Sequence, residues 1–215
     1  MDQKENRVEM YHELFANANG KENFLKITIT GDETWVYGYE VENKMQSSQW
    51  MGKGFAGPKQ CRMSRSNVKV MLVVFFDSKG IFHHEYVPRG QMVNKQLYKE
   101  VLARLRDGVR RNMPELWENQ TWMLHHDNSP AHASLLICSY LAKHQISIVP
   151  HPPCSPDLVP ADFFLLPKIK TTLKGHRFQT IEEIQENAIT AHHHRECVPG
   201  SIPTMDATLG TVYRQ

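Results

Sequence analysis

The sequence predicts an α/β domain, a mixed sheet flanked by helices. Three observations point there. β-rich runs come first and are followed by helical and strand patterns in alternation, the order of a sheet covered on both faces. Val68 to Phe76 is nearly continuous in apolar residues, as in a strand buried on both sides. The chain has 215 residues, 40% of them hydrophobic and 22% charged, which is enough to fold as one sizeable domain and too little for two.

Residues 4–18 read as a helix, with Val8, Tyr11, Leu14 and Phe15 on one face and Asn17, Asn19 and Gly20 ending it. Phe24 to Thr30 is a β-rich run leading into Gly31-Asp32-Glu33-Thr34, and Trp35 to Tyr39 reads as a second strand. Residues 42–67 are polar and carry Lys44, Lys53, Lys59, Arg62 and Arg65, a loop long enough to suggest a function. Ile81 to Val87 is a further strand. Asn94 caps a helix in which Leu97, Val101, Leu105 and Val109 fall four residues apart, with Lys95, Lys99, Arg106 and Arg110 on its other side. Thr121 to His126 is a strand ending at Asp127. Ser129-Pro130 reads as the N-cap and first residue of a helix reaching Lys143. A short strand at Ile146–Val149 precedes the proline-rich loop 150–160. The helical stretch from Pro160 to Lys174 should restart at Pro167, and another helix begins at Ile181.

Composition excludes several classes. No apolar run reaches the roughly 18 residues of a membrane span. Residues 1–7 are charged and lack a hydrophobic signal core, so secretion is not expected. The four cysteines form no CxxC pair, which argues against a zinc ribbon and a disulfide scaffold. A net charge of +2 is too small to imply nucleic acid, so any such role rests on local patches.

Three aspartates stand where the chain leaves regular structure. Asp32 follows the first strand, Asp127 follows a later one, and Asp162 lies in the first turn of a helix. Between Asp127 and Asp162 lie 34 residues. If the strands that carry Asp32 and Asp127 are neighbours, the two converge at one sheet edge and Asp162 approaches from its helix. Converging carboxylates repel one another without a cation, and hard oxygen donors suit Mg²⁺ or Mn²⁺. Two such ions roughly 3.5–4 Å apart clamp the attacking and leaving oxygens of a phosphoryl displacement. Each acid also has a plain structural reading: a hairpin corner for Asp32, turn chemistry for Asp127, a helix-dipole partner for Asp162. Pattern alone leaves both readings open.

Three segments decide between them. Residues 29–36 (Ile-Thr-Gly-Asp-Glu-Thr-Trp-Val), 125–132 (His-His-Asp-Asn-Ser-Pro-Ala-His) and 155–164 (Ser-Pro-Asp-Leu-Val-Pro-Ala-Asp-Phe-Phe) closely resemble the catalytic domain of mariner-type transposases, of the Tc1/mariner superfamily. The 34-residue gap is the spacing of the mariner group, and residues 46–50, 62–66 and 173–178 match as well. The likeness runs from about residue 2 to 190. It implies an RNase H-like fold over 1–190, metal-dependent DNA strand cleavage and transfer, and two Mg²⁺ or Mn²⁺ ions on Asp32, Asp127 and Asp162. It implies that loop 42–67 is the family's clamp, engaging DNA and a second copy, with Lys53, Lys59, Arg62 and Arg65 as DNA contacts. Transposon ends and target DNA are the expected partners, no membrane is expected, and a nuclear location follows from the family alone.

Two departures shape the expectation. Family members carry about a hundred residues of tandem helix-turn-helix before this point, and this sequence holds none of them. After residue 190 the family helix is replaced by an unrelated tail. A codon choice that encodes the tail gives the family helix when read one base later, so a shifted frame near Thr190–Arg195 is expected, and 191–215 is not expected to pack. The nucleotide sequence tests this. The same shift accounts for His192-His193-His194 and Cys197, which otherwise resemble a metal tract. The competing functional reading is a non-catalytic nucleic-acid-binding remnant.

Overall fold

A computed structural model describes residues 3–21, 23–43, 45–48, 50, 52, 63–153 and 155–193. In chain order, the elements are α1 (Gln3–Gly20), α2 (Phe24–Ile27), β1 (Thr28–Tyr37), β2 (Lys69–Asp77), β3 (Gly80–Val87), α3 (Lys95–Asn112), α4 (Pro114–Glu118), β4 (Met123–His125), α5 (Leu135–Lys143) and β5 (Ser147–Ile148). A 3₁₀ turn at Pro156–Leu158, a π-helix at Ala161–Leu165, α6 (Leu166–Leu173) and α7 (Ile181–His193) follow. The sheet order is β3-β2-β1-β4-β5. β1 runs antiparallel to β2 and parallel to β4, so the sheet is mixed, as the sequence implied.

Alternating strand residues feed two cores. Val36, Val70, Leu72 and Val74 pack on Leu165, Ile169 and Ile184 of the π-helix, α6 and α7. Ile29, Val73 and Phe75 pack on Val101, Leu105, Ile137 and Leu141 of α3 and α5. The apolar run of β2 therefore serves both layers, and each fully buried side chain contributes about 1.5–3 kcal/mol. Asn94 caps α3 as its sequence position suggested, its Oδ1 accepting from the backbone N–H groups of Gln96 and Leu97 at 3.0 and 2.9 Å.

Several boundaries differ from expectation, each for a physical reason. The run at 24–30 begins as the helical turn α2 before the chain extends, so only its end is strand. Gly31-Asp32-Glu33-Thr34 is no corner: β1 continues through it, paired with Leu72–Phe75 of β2. Gly31 permits this, because a Cβ there would lie 2.2 Å from Cδ1 of Phe75. The helix expected from Ser129-Pro130 starts at Leu135, since residues 127–134 form a turn knotted by Ser129 and His132. The stretch before Pro167 is a π-helix. Proline has no N–H and crowds the carbonyl four residues back, and Leu166 N–H instead reaches Ala161 O. α1 forms as expected but buries none of its face; Val8 and Phe15 are exposed, and Arg7 pairs with Asp157 at 2.8 Å. α7 crosses the expected boundary at 190 and runs to His193, beyond which the tail lies outside the described residues.

Candidate functional site

The parallel pairing of β1 and β4 puts Thr30 level with His125. Asp32 and Asp127 each lie two residues further along, so they leave that register side by side at one sheet edge. Asp32 is inside β1 rather than beyond it, opposite Val74 of β2. Successive strand residues face opposite ways. Asp32 shares the face of Val36 and Val74, toward the π-helix that carries Asp162. Glu33 takes the face of Ile29 and Phe75, toward α3.

Asp32 is buried, with only 9% of its surface exposed. Its carboxyl is pushed from 3.8 up to about 8, first by burial, then by the Asp162 and Glu33 charges and by a hydrogen bond with Asp162. The Glu33 N–H, donating to Asp32 Oδ1 at 2.7 Å, opposes this only in part. Asp32 therefore holds its proton more tightly than an ordinary carboxyl does.

Asp127 behaves differently. Its burial would raise it, but His132 and Ser129 outweigh that and bring it down to about 2. Asp127 Oδ1 accepts from Ser129 N–H at 3.1 Å and meets His132 Nδ1 at 2.6 Å. The other ring nitrogen of His132 lies 3.1 Å from Glu33 Oε1. Burial disfavours the imidazolium, yet the two carboxylates raise it to about 9. Tyr98 of α3 and His126 stack on that ring, with centroids 3.8 and 5.0 Å away. The Tyr98 hydroxyl meets His126 Nδ1 at 2.7 Å. Burial and the neighbouring His132 hold His126 down to about 3. On the other side of β4, His125 Nε2 and His151 Nδ1 are buried without a partner among the described residues, their rings 5.7 Å apart.

A cleft of about 510 Å³ runs from Asp162 past Arg65, Lys170 and Lys174. Arg65 pairs with Glu40 at 3.0 Å, and Lys174 Nζ donates to Asn43 Oδ1 at 3.1 Å. Of the expected DNA contacts, Arg65 lines this cleft. Lys53, Lys59 and Arg62 lie outside the described residues. The basic side of α3 is largely engaged: Arg104 binds Glu85, Arg110 binds Asp107, and Arg106 lies over Trp117. Sequence reasoning missed Lys170 and the Glu33–His132 bridge. The i,i+4 spacing of Lys170 and Lys174 was a usable signal; the bridge joins residues 99 apart and left none.

The donor set suits a hard divalent cation. Asp32 and Asp162 are in hydrogen-bonding contact, and the charges of Asp162 and Glu33 both burden the Asp32 carboxyl, so hard oxygen donors stand together where negative charge accumulates. Among the described residues, no three side chains stand ready-made in a ligating cluster.

A family profile described as Transposase (partial DDE domain) matches residues 40–119. The Mariner Mos1 transposase of Drosophila mauritiana is 28% identical over 175 residues, 81% of this chain and 50% of that protein. The chain therefore spans about half the length of this relative. The crystal structure of the mariner Mos1 paired end complex with Mg aligns at a TM-score of 0.78 and 27% identity, over 90% of this chain and 56% of that one. The Mos1 transposase catalytic domain with Raltegravir and Mn aligns at 0.68 and 26% identity, over 86% and 78%. The fold is thus the RNase H-like one of these catalytic domains.

Proposed function

From a chain that belongs with the mariner-type transposases and spans their catalytic domain, we propose a metal-dependent DNA transposase core that cleaves and transfers strands by phosphoryl transfer. One observation carries the reading. Asp32 and Asp162 meet on one face of the sheet, beside Asp127 at the end of the adjacent strand, with negative charge left over. Asp32, Asp127 and Asp162 would hold two Mg²⁺ or Mn²⁺ ions. When bound, those ions supply charge neutralisation at the attacking and leaving oxygens. Mg and Mn accompany the related Mos1 structures, which supports this choice.

The chain's own residues do the rest. The three carboxylates would fix where the cations sit, and Asp32 must release its proton to serve. Arg65, Lys170 and Lys174 line the cleft beside Asp162 and would seat flanking phosphates of the DNA. Lys53, Lys59 and Arg62 extend that basic track in the proposal, and the loop at 42–67 would engage a second copy. A chain acting on chromosomal DNA would work in the nucleus.

The test is a nicking assay on labelled DNA with Mg²⁺ or Mn²⁺, comparing the parent with Asp127→Ala. Cleavage that needs metal and disappears in the variant is expected. Equal cleavage by both, or none by either, overturns the catalytic reading. Salt-sensitive DNA binding without cleavage would favour the non-catalytic alternative, which the basic cleft alone can support.

A further inference from the structure

We propose that His132 is a positioning residue for the acid site, fixing Asp127 through Nδ1 while its Nε2 engages Glu33. This rests on the proposed metal-dependent reading. Asp127 stands on a turn beyond β4, where no ladder partner fixes its side chain. His132 engages Oδ1 at 2.6 Å and Ser129 N–H engages the same oxygen, which leaves Oδ2 as the oxygen for a cation. Glu33, next to Asp32, adds to the charge that already burdens that carboxyl. Glu33 also lines the cleft beside Asp162, and the 3.1 Å contact with His132 ties its carboxylate down there.

The ring itself is held. Its side chain is 2% exposed; Tyr98 packs against it with centroids 3.8 Å apart and planes tilted by 32°, and His126 lies nearly parallel at 14° and 5.0 Å, the three rings forming one cluster. A planar group with nitrogens at two ends meets two carboxylates at once, which a single ammonium on a flexible stem does not. Tyr98 in turn fixes His126, so the chain of contacts runs from α3 through two stacked imidazoles to Asp127. Partners that orient a metal-binding group, without touching the metal, typically govern affinity by about 10–100-fold.

Two substitutions separate orientation from packing. Asn places an amide N–H where Nδ1 stands; Gln places it where Nε2 stands. Both lose the stacked ring equally. Mn²⁺ binding to the full chain without DNA, measured by calorimetry, is therefore compared among the parent, His132→Asn, His132→Gln and Asp127→Ala. The expected result is that Asn keeps affinity within about threefold while Gln weakens it about tenfold or more, towards the Asp127→Ala value. If the Gln variant does not fold by circular dichroism, His132→Ala takes its place against Asn. Equal affinities for Asn and Gln, with the parent binding and Asp127→Ala not, overturn the positioning role and leave the metal site standing. A parent that binds no Mn²⁺ overturns the functional reading and this inference with it.

Discussion

The two faces of the sheet at the site end treat their charges in opposite ways. On the α3 face, Glu33, His132 and Asp127 form a closed alternation of negative, positive and negative, packed under Tyr98 and His126. On the α6 face, Asp32 and Asp162 press together, and two histidine nitrogens nearby, His125 Nε2 and His151 Nδ1, lack partners among the described residues. On one face the protein supplies its own cation, His132, between two carboxylates. The other is left in deficit, which costs stability and is what a site for an external cation requires. The difference locates the chemistry more narrowly than the positions of the acids do.

The largest test removes one of the three acids of the proposed site. Asp127→Ala or Asp162→Ala should lower metal-dependent nicking by about a thousandfold or more, since metal-assisted charge stabilisation is worth several kcal/mol. A loss of only a few fold would mean that the acids do not act together. On the neutralised face, Tyr98→Phe leaves His126 Nδ1 buried without its 2.7 Å partner. Thermal melts should show a loss of about 1–3 kcal/mol, or roughly 2–4 °C for each, with a smaller loss of nicking than Asp127→Ala gives. An unchanged melting temperature would show that the hydroxyl contact contributes nothing.

The deficit should be visible in stability as well. The folded chain holds the Asp32 proton more tightly than the unfolded chain, from an ordinary 3.8 up to about 8. The associated stability is present below pH 4 and is lost as pH rises through about 8. Asp32→Asn removes that loss. Its melting temperature should exceed the parent's by a widening margin across this range, reaching a few degrees, about what 1–2 kcal/mol gives in a chain this size. Curves that stay parallel across pH would contradict the assigned repulsion. The smallest effect lies away from the site. Arg104 and His83 hold Glu85 down to about 2 against its burial, from an ordinary 4.5. That stability is present above pH 4.5 and is lost as pH falls to about 2. Because Arg104 is half exposed, Arg104→Ala should flatten this acid limb by less than about 1 kcal/mol. A steeper limb in the variant would reverse the assignment.

Much of this contrast was legible in the sequence. The apolar run in β2 announced two covered faces, Asn94 announced its helix, and the three aspartates stood in segments that resemble one family closely. What could not be read was contact between distant residues. The composition of Gly31-Asp32-Glu33-Thr34 suggests a turn, and only pairing with β2 makes it strand. That pairing puts Asp32 and Glu33 on opposite faces, so the single step from one residue to the next separates the open charge from the neutralised one. His132 read as part of a helix after Pro130; its two carboxylate contacts pull that segment into a turn, and neither contact is visible locally. The π-helix that presents Asp162 was half legible, because Pro167 signalled a break but not its direction.

The most direct measurement is anomalous diffraction from crystals of the chain soaked in Mn²⁺. Peaks bounded by carboxylate oxygens of Asp32, Asp127 and Asp162, at about 2.0–2.2 Å, are expected, with Glu33 still on His132. A map with no peak there, or with manganese bound only elsewhere, would contradict the metal-dependent site.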